Sequence, residues 1–266
     1  ISKIILEGPD SELKLTQNTQ PAILVVSYII FIVLVKEHGF KLNDFKYFAG
    51  HSLGEYSALV CAKSLKFEDA LYLLRERGKS MQEAVPVGDG GMLAVLGLEV
   101  EDVNKYISQL NTSEVCEIAN DNANGQVIVS GNIKSINNLK EILKKNKKKS
   151  ILLPVSAPFH CSLMKSASDK MKEKIKKINF QNPCPSIITN VTAKPESNPE
   201  NIKNMLIEQI YSKVRWRESI LFMINNGITD FVEIGPGKVL SGLVKRITNE
   251  SKSKSINSIQ DMKDIF

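Results

Sequence analysis

No two of the four cysteines (Cys61, Cys116, Cys161 and Cys184) form a Cys-x-x-Cys pair. That spacing argues against a disulfide framework or a zinc site, so no metal is expected, and it fits a reducing cytoplasm. The residues after Ile1 show no basic segment, apolar core and small-residue cleavage site, so they do not read as a targeting signal. The sequence opens on Ile1 rather than Met, as a processed form or a piece of a longer chain would. Long apolar runs are also scarce. The longest, residues 22–35, is interrupted by Ser27 and Tyr28, and as a helix it would reach only about 21 Å against a hydrocarbon core of about 30 Å. It predicts a buried helix, not a membrane span, with Lys36 and His38 in its last turn and Gly39 just beyond. Internal repeats and aromatic-basic modules are absent, so the net charge of +6 does not point to nucleic acid. The charge reads either as attraction for acidic partners or as the bias of a Lys-rich chain.

What is present is ordinary in amount and informative in order. With 266 residues, 42% apolar and 24% charged, the chain suits one large domain, or one domain carrying a smaller insert. Residues 45–49 read as a strand, followed by a sharp turn and a helix, and 67–81 read as a second helix. From 91 to 153 the pattern becomes strand (92–96), helix (100–110), strands (115–119 and 126–130), helix (133–145) and strand (151–155). The polar run Asn120-Asp121-Asn122-Ala123-Asn124-Gly125 is expected to be the turn between the two middle strands. Helices at 162–178, 202–211, 219–226 and 239–247 then alternate with strands at 186–190 and 230–234. This order predicts an α/β fold: a mainly parallel sheet with helices on both faces, an α/β-hydrolase-like core, interrupted by a ferredoxin-like βαββαβ subdomain. The expected division is 1–88 with 155–266 for the larger domain and 89–154 for the smaller. The five lysines within 144–149 read as a solvated helix end.

Gly50-His51-Ser52-Leu53-Gly54 matches Gly-x-Ser-x-Gly, a strand-turn-helix elbow that exposes a serine hydroxyl. There the following N–H, from Leu53, is placed to stabilise an oxyanion. The glycines are expected to keep the turn free of Cβ clashes. A serine nucleophile needs a base, and only three histidines exist. His38 falls at a helix end, and His51 should diverge from its neighbour Ser52 on a strained elbow. That leaves His160, in Ser156-Ala157-Pro158-Phe159-His160-Cys161. No acid stands out to orient it, and a backbone carbonyl would serve. Glu233, in Glu233-Ile234-Gly235-Pro236-Gly237, is read as structural. Arg77, on pattern alone, reads as a helix-surface charge beside Glu76 and Glu83.

The segment from Gly50 through Leu59, together with Arg77-Gly78-Lys79-Ser80-Met81-Gln82-Glu83-Ala84 and Ala157-Pro158-Phe159-His160-Cys161-Ser162-Leu163-Met164, resembles the malonyl-CoA:acyl carrier protein transacylases. Three further segments fit in order: Thr16-Gln17-Asn18-Thr19-Gln20-Pro21-Ala22, Gln126-Val127-Ile128-Val129-Ser130-Gly131 and Glu233-Ile234-Gly235-Pro236-Gly237-Lys238-Val239-Leu240. The resemblance implies malonyl transfer from malonyl-CoA to the phosphopantetheine thiol of acyl carrier protein in fatty-acid synthesis, through an ester on Ser52. It implies no cofactor, and in line with related enzymes a monomer. It also implies Arg77 as the malonyl carboxylate site, Gln209 as the residue orienting His160 through a main-chain carbonyl, and Phe159 as a barrier to an α-methyl branch. The family pattern further includes a Gly-Gln-Gly segment, whose Gln supplies a second oxyanion donor; no match lies within this sequence. Two rival readings remain: a serine hydrolase, and a carrier-protein-binding fragment with impaired catalysis.

Overall fold

A computed structural model describes residues 1–263. Its helices are α1 (Ser2–Glu7), α2 (Asp10–Leu13), α3 (Thr16–Glu37), α4 (Gly54–Cys61), α5 (Phe67–Glu83), α6 (Val100–Ile107), α7 (Ile133–Lys145), α8 (Lys165–Lys177), α9 (Pro199–Gln209), α10 (Trp216–Asn225), α11 (Val239–Ile247) and α12 (Ile259–Lys263). Its strands are β1 (Tyr47–Ala49), β2 (Gly90–Leu96), β3 (Cys116–Ala123), β4 (Gln126–Asn132), β5 (Lys149–Leu152), β6 (Ser186–Ile188), β7 (Pro195–Glu196), β8 (Asp230–Ile234) and β9 (Lys252–Ile256). The chain is therefore a mixed α/β protein. Among the described residues the strands fall into three sheets, where the sequence suggested one main sheet and a small one. β1 runs parallel to β6, and β8 parallel to β9, but no ladder joins the two pairs. The short strand β7 closes the first pair in antiparallel fashion.

Residues 90–152 build a four-stranded sheet in the order β3-β4-β2-β5, with every neighbour antiparallel. Side chains alternate across it, as strand geometry requires. Leu93, Val95, Val127 and Val129 face Val103 of α6 and Ile136, Leu139 and Leu143 of α7. Met92, Ala94 and Ile128 face the other way, against Phe159. The run 120–123 is strand, not turn: β3 continues to Ala123, and Asn124-Gly125 alone turn the hairpin, with Gly125 at φ 66°. Asn and Asp favour turns when exposed. Here Asn120, Asp121 and Asn122 are buried, and partners from distant segments satisfy them. The Asp121 N–H donates to the Val214 carbonyl, and its carboxylate accepts from Arg217 Nε at 2.9 Å.

The larger core gathers Leu24 of α3, Tyr56 and Leu59 of α4, Leu73, Leu74 and Met81 of α5, Met171 of α8 and Leu206 of α9. α3 begins at Thr16, well before the apolar run, and its 22 residues extend about 33 Å. By length and composition it could cross a membrane, so the length argument made from residues 22–35 does not hold. The helix instead lies along α5, with Leu24 and Leu34 fully buried. Gly78 permits that approach, because a Cβ there would come within 2.5 Å of Gln17 Cα. The close contact sets Gln20 beside Arg77. All six residues from Lys144 to Lys149 are exposed, in keeping with a solvated helix end.

The two elbow glycines differ in what they do. A Cβ on Gly50 would lie 2.0 Å from the Gly54 carbonyl, whereas a Cβ on Gly54 would meet nothing within 4 Å. The expectation that both relieve clashes therefore holds for Gly50 alone. Gly50→Ala is expected to lose about 3 kcal/mol or more of stability. Gly54→Ala, at the first position of α4, is expected to change it by less than about 0.5 kcal/mol. Urea unfolding of both variants checks this, and equal losses would contradict it.

Candidate active site

β1 and β6 are parallel neighbours with Ala49 opposite Ile188, so the segments leaving their carboxyl ends emerge side by side. The β1 end supplies the elbow and the β6 end supplies Asn190. Ser52 has φ 53° and His160 φ 59°, a region that L residues seldom occupy and that functional sites often hold under constraint. The Asn190 side chain clamps the elbow at two points. Its Oδ1 accepts the Ser52 N–H at 2.7 Å, and its Nδ2 donates to the Gly50 carbonyl at 2.8 Å. The Leu53 N–H makes no hydrogen bond among the described residues.

The loop after β5 brings His160 to the serine, with Nε2 lying 2.8 Å from Ser52 Oγ. Its Nδ1 lies 2.8 Å from the Gln209 main-chain carbonyl. A carbonyl can only accept, so Nδ1 carries the proton and Nε2 is left as the acceptor for the serine hydroxyl. Burial, then the nearby Arg77 charge, push the His160 pKa down to about 3, so the ring is neutral at neutral pH. His51 turns away from Ser52, as expected on the elbow. Its Nε2 meets Asn122 Oδ1 at 2.8 Å, and its ring packs 5.5 Å from that of Trp216.

Arg77 lies on α5 and is 1% exposed, so the surface reading fails. Glu76 pairs instead with Lys79 and Lys174, and Glu83 with Lys170. The Arg77 Nη2 donates to Ser52 Oγ at 3.0 Å and to Gln209 Oε1 at 2.9 Å, while Nη1 donates to Gln20 Oε1 at 2.7 Å. Among the described residues no carboxylate lies within ion-pair distance of it, and its Nε has no hydrogen-bond partner. Burial pulls its pKa down, against the opposing pull of Tyr56 and Glu55.

Three contributors escaped the sequence reading: Gln20, Asn190 and Glu55. Gln20 sits in a polar stretch just ahead of an apolar run. Glu55 is the second residue of the helix after Ser52 and is 1% exposed, with burial raising its pKa to about 7 against hydrogen bonds from Asn190 and Gln209. An acid directly after the elbow was a usable signal; Asn190, alone in a loop, gave none. Phe159 is half-buried and packs between the two cores. Glu233 is structural, accepting the N–H groups of Leu240 and Ser241 at the start of α11 at 2.9 and 2.7 Å. Among the described residues no cluster of His, Cys, Asp and Glu side chains is placed to hold a metal ion.

A serine on a strained elbow, a neutral imidazole at hydrogen-bond distance and a buried cation beside them make a site suited to acyl transfer. The sequence profile of the acyl transferase domain matches residues 1–264, and the chain belongs to that family. Its relatives narrow the class. The chain is 45% identical to the malonyl CoA-acyl carrier protein transacylase of Bacillus subtilis strain 168, over 97% of this chain and 80% of that protein. It is 40% identical to the protein of the same description from Escherichia coli K12, over 94% and 81%. The crystal structure of an acyl-carrier-protein-S-malonyltransferase from Bartonella henselae superposes with a TM-score of 0.95 at 41% identity, covering 99% of this chain and 84% of that one. A chain from the structure of a type II polyketide synthase acyl carrier protein in complex with its malonyl-transacylase superposes with a TM-score of 0.94 at 37% identity, covering 98% of this chain and 84% of that one.

Proposed function

We propose that this chain transfers a malonyl group from malonyl-CoA to the phosphopantetheine thiol of acyl carrier protein, with Ser52 as nucleophile and His160 as general base. The observation that carries the reading is the buried Arg77 guanidinium, 3.0 Å from Ser52 Oγ and paired with no carboxylate among the described residues. A desolvated cation at the nucleophile suits an acyl group that ends in a carboxylate, which a planar guanidinium holds through two parallel bonds.

Ser52 Oγ attacks the thioester carbonyl while its proton passes to His160 Nε2. The Leu53 N–H donates to the oxyanion that develops. Collapse breaks the carbon–sulfur bond, and CoA leaves as the thiol with the proton from His160, so that a malonyl ester remains on Ser52. In the second half the carrier thiol gives its proton to His160 and attacks the ester, and Ser52 recovers the proton as it departs. The Gln209 carbonyl keeps His160 in the required tautomer throughout. A malonyl carboxylate on Arg77 cancels the charge that, after burial, holds the His160 pKa down, so the base strengthens when the correct substrate is bound. Phe159 limits room for a branch on the acyl chain. The steps use no cofactor.

The antiparallel order β3-β4-β2-β5, with α6 and α7 on one face, supports a ferredoxin-like subdomain at 89–154. The parallel pairs β1–β6 and β8–β9 support an α/β-hydrolase-like, mainly parallel catalytic domain made of 1–88 and 155–266. Four unpaired cysteines suit action in the cytoplasm, and a monomer is the working assembly.

Two half-reactions run in sequence test the function. The chain is exposed to labelled malonyl-CoA, freed of small molecules, and given carrier protein with or without its phosphopantetheine. Label is expected to pass to the phosphopantetheinylated carrier alone. Label released as free malonate would instead make the chain a hydrolase, a reading that the carbonyl behind His160, in place of an acid, does not favour.

A further inference from the structure

One buried carboxyl group in the site has no part in the steps above. Glu55 is the second residue of α4, and its Oε2 accepts two hydrogen bonds: the Asn190 main-chain N–H at 3.0 Å and Gln209 Nε2 at 2.8 Å. Each donor belongs to a residue that controls reacting groups. The Asn190 side chain clamps Ser52 and Gly50. Gln209 holds His160 with its carbonyl, Arg77 with Oε1, and the Ser52 carbonyl with Nε2 at 3.0 Å.

The orientation of the Gln209 amide follows from two acceptors on its NH₂ end, Glu55 Oε2 at 2.8 Å and the Ser52 carbonyl at 3.0 Å, and Glu55 makes the shorter contact. Oε2 already accepts the Asn190 N–H, so with the carboxyl ionised or with its proton on the other oxygen it acts as an acceptor, drawing the NH₂ end of the amide toward α4 and leaving Gln209 Oε1 facing Arg77. The opposite orientation would set an amide oxygen against the Glu55 oxygen and an NH₂ against the guanidinium, with both contacts repulsive. Gln20 Oε1 fixes the other arm of Arg77. The guanidinium is thus held between two amide oxygens, and one of these is oriented by Glu55 together with the Ser52 carbonyl.

We infer that Glu55 is a positioning residue for this reaction, fixing through Gln209 the direction of the Arg77 fork and with it the preference for acyl groups that carry a carboxylate. The inference rests on the malonyl-transfer reading and deepens it, by naming what holds the carboxylate-recognising group in place. It acts through hydrogen-bond reach rather than charge. Glu55→Gln keeps an acceptor oxygen at the same distance. Glu55→Asp keeps the charge but withdraws the acceptor by one methylene, and Glu55→Met removes it.

The test is single-turnover acylation of Ser52 by malonyl-CoA and, separately, by acetyl-CoA, followed by intact mass in the wild-type chain and the three variants. The malonyl-to-acetyl rate ratio is expected to fall by about tenfold to a hundredfold in Glu55→Met and Glu55→Asp, and to stay within about threefold of wild type in Glu55→Gln. Glu55→Asp supplies the comparison if Glu55→Met does not fold. A general structural role would slow both donors together in step with lost thermal stability. An unchanged ratio in Glu55→Met and Glu55→Asp, or an equal fall for both donors, overturns the inference while malonyl transfer stands. A wild-type chain that takes an acyl group from neither donor overturns the malonyl-transfer reading, and the Glu55 inference with it.

Discussion

His160→Ala is expected to slow acylation of Ser52 by malonyl-CoA by about 10⁴-fold or more, with little change in stability or substrate binding. The size follows from what the imidazole supplies. The Ser52 hydroxyl is a poor nucleophile until a base removes its proton, and among the described residues His160 is the neutral base within hydrogen-bond distance, at 2.8 Å. The other contact to Ser52 Oγ is a donor, Arg77 Nη2 at 3.0 Å, which stabilises developing negative charge but cannot accept a proton. His51 offers no substitute, because its Nε2 is committed to Asn122. Stopped-flow or quenched acylation, with KM for malonyl-CoA measured alongside, separates the effects. A loss confined to the rate of the chemical step supports the assignment, and a loss confined to KM contradicts it.

Arg77→Ala is expected to lower acylation by malonyl-CoA about 10²- to 10³-fold, and acylation by acetyl-CoA by less than about tenfold. Each hydrogen bond from a charged donor to a carboxylate is worth about 1.5–3 kcal/mol, and the fork can make two. Acetyl-CoA presents no carboxylate and has no such bonds to lose. Arg77→Lys should recover only a fraction, since an ammonium cannot reproduce the planar fork between Gln20 and Gln209. Parallel rate measurements with the two thioesters decide the matter. An equal loss for both would assign Arg77 to holding the elbow through Ser52 Oγ rather than to reading the acyl group.

The elbow was legible in the sequence because its geometry admits few residues. At Gly50 a Cβ would overlap backbone, and the strand and helix on either side follow from ordinary patterning. His160 emerged by elimination, a route open only because histidine is scarce here. Arg77 was not legible by itself: with Glu76 and Glu83 near it in sequence, it has the local pattern of a solvated helix face. Its burial depends on α3 crossing at Gly78 and on α9 arriving from far along the chain. The run Asn120-Asp121-Asn122 looked like a turn because its partners, Val214, Arg217 and His51, are distant in sequence. The strand β9, with its alternating Lys252-Ser253-Lys254-Ser255, carried too little apolar character to register. It forms because its main chain pairs with β8, and lysines are common where a strand borders solvent. Local chemistry thus marked Ser52 and His160, the proposed nucleophile and base. Asn190 and Gln209, which hold them, are defined by tertiary contacts that no local pattern encodes, whereas Glu55 was marked by its place directly after the elbow.

The most direct test of the central claim is intact-protein mass spectrometry after brief exposure of the chain to malonyl-CoA, with Ser52→Ala beside it. The account predicts a mass increase of one malonyl group on the wild-type chain, located at Ser52 by fragmentation, removed by phosphopantetheinylated acyl carrier protein and absent from Ser52→Ala. A folded wild-type chain that stays unmodified, or an adduct that persists in Ser52→Ala, would contradict it.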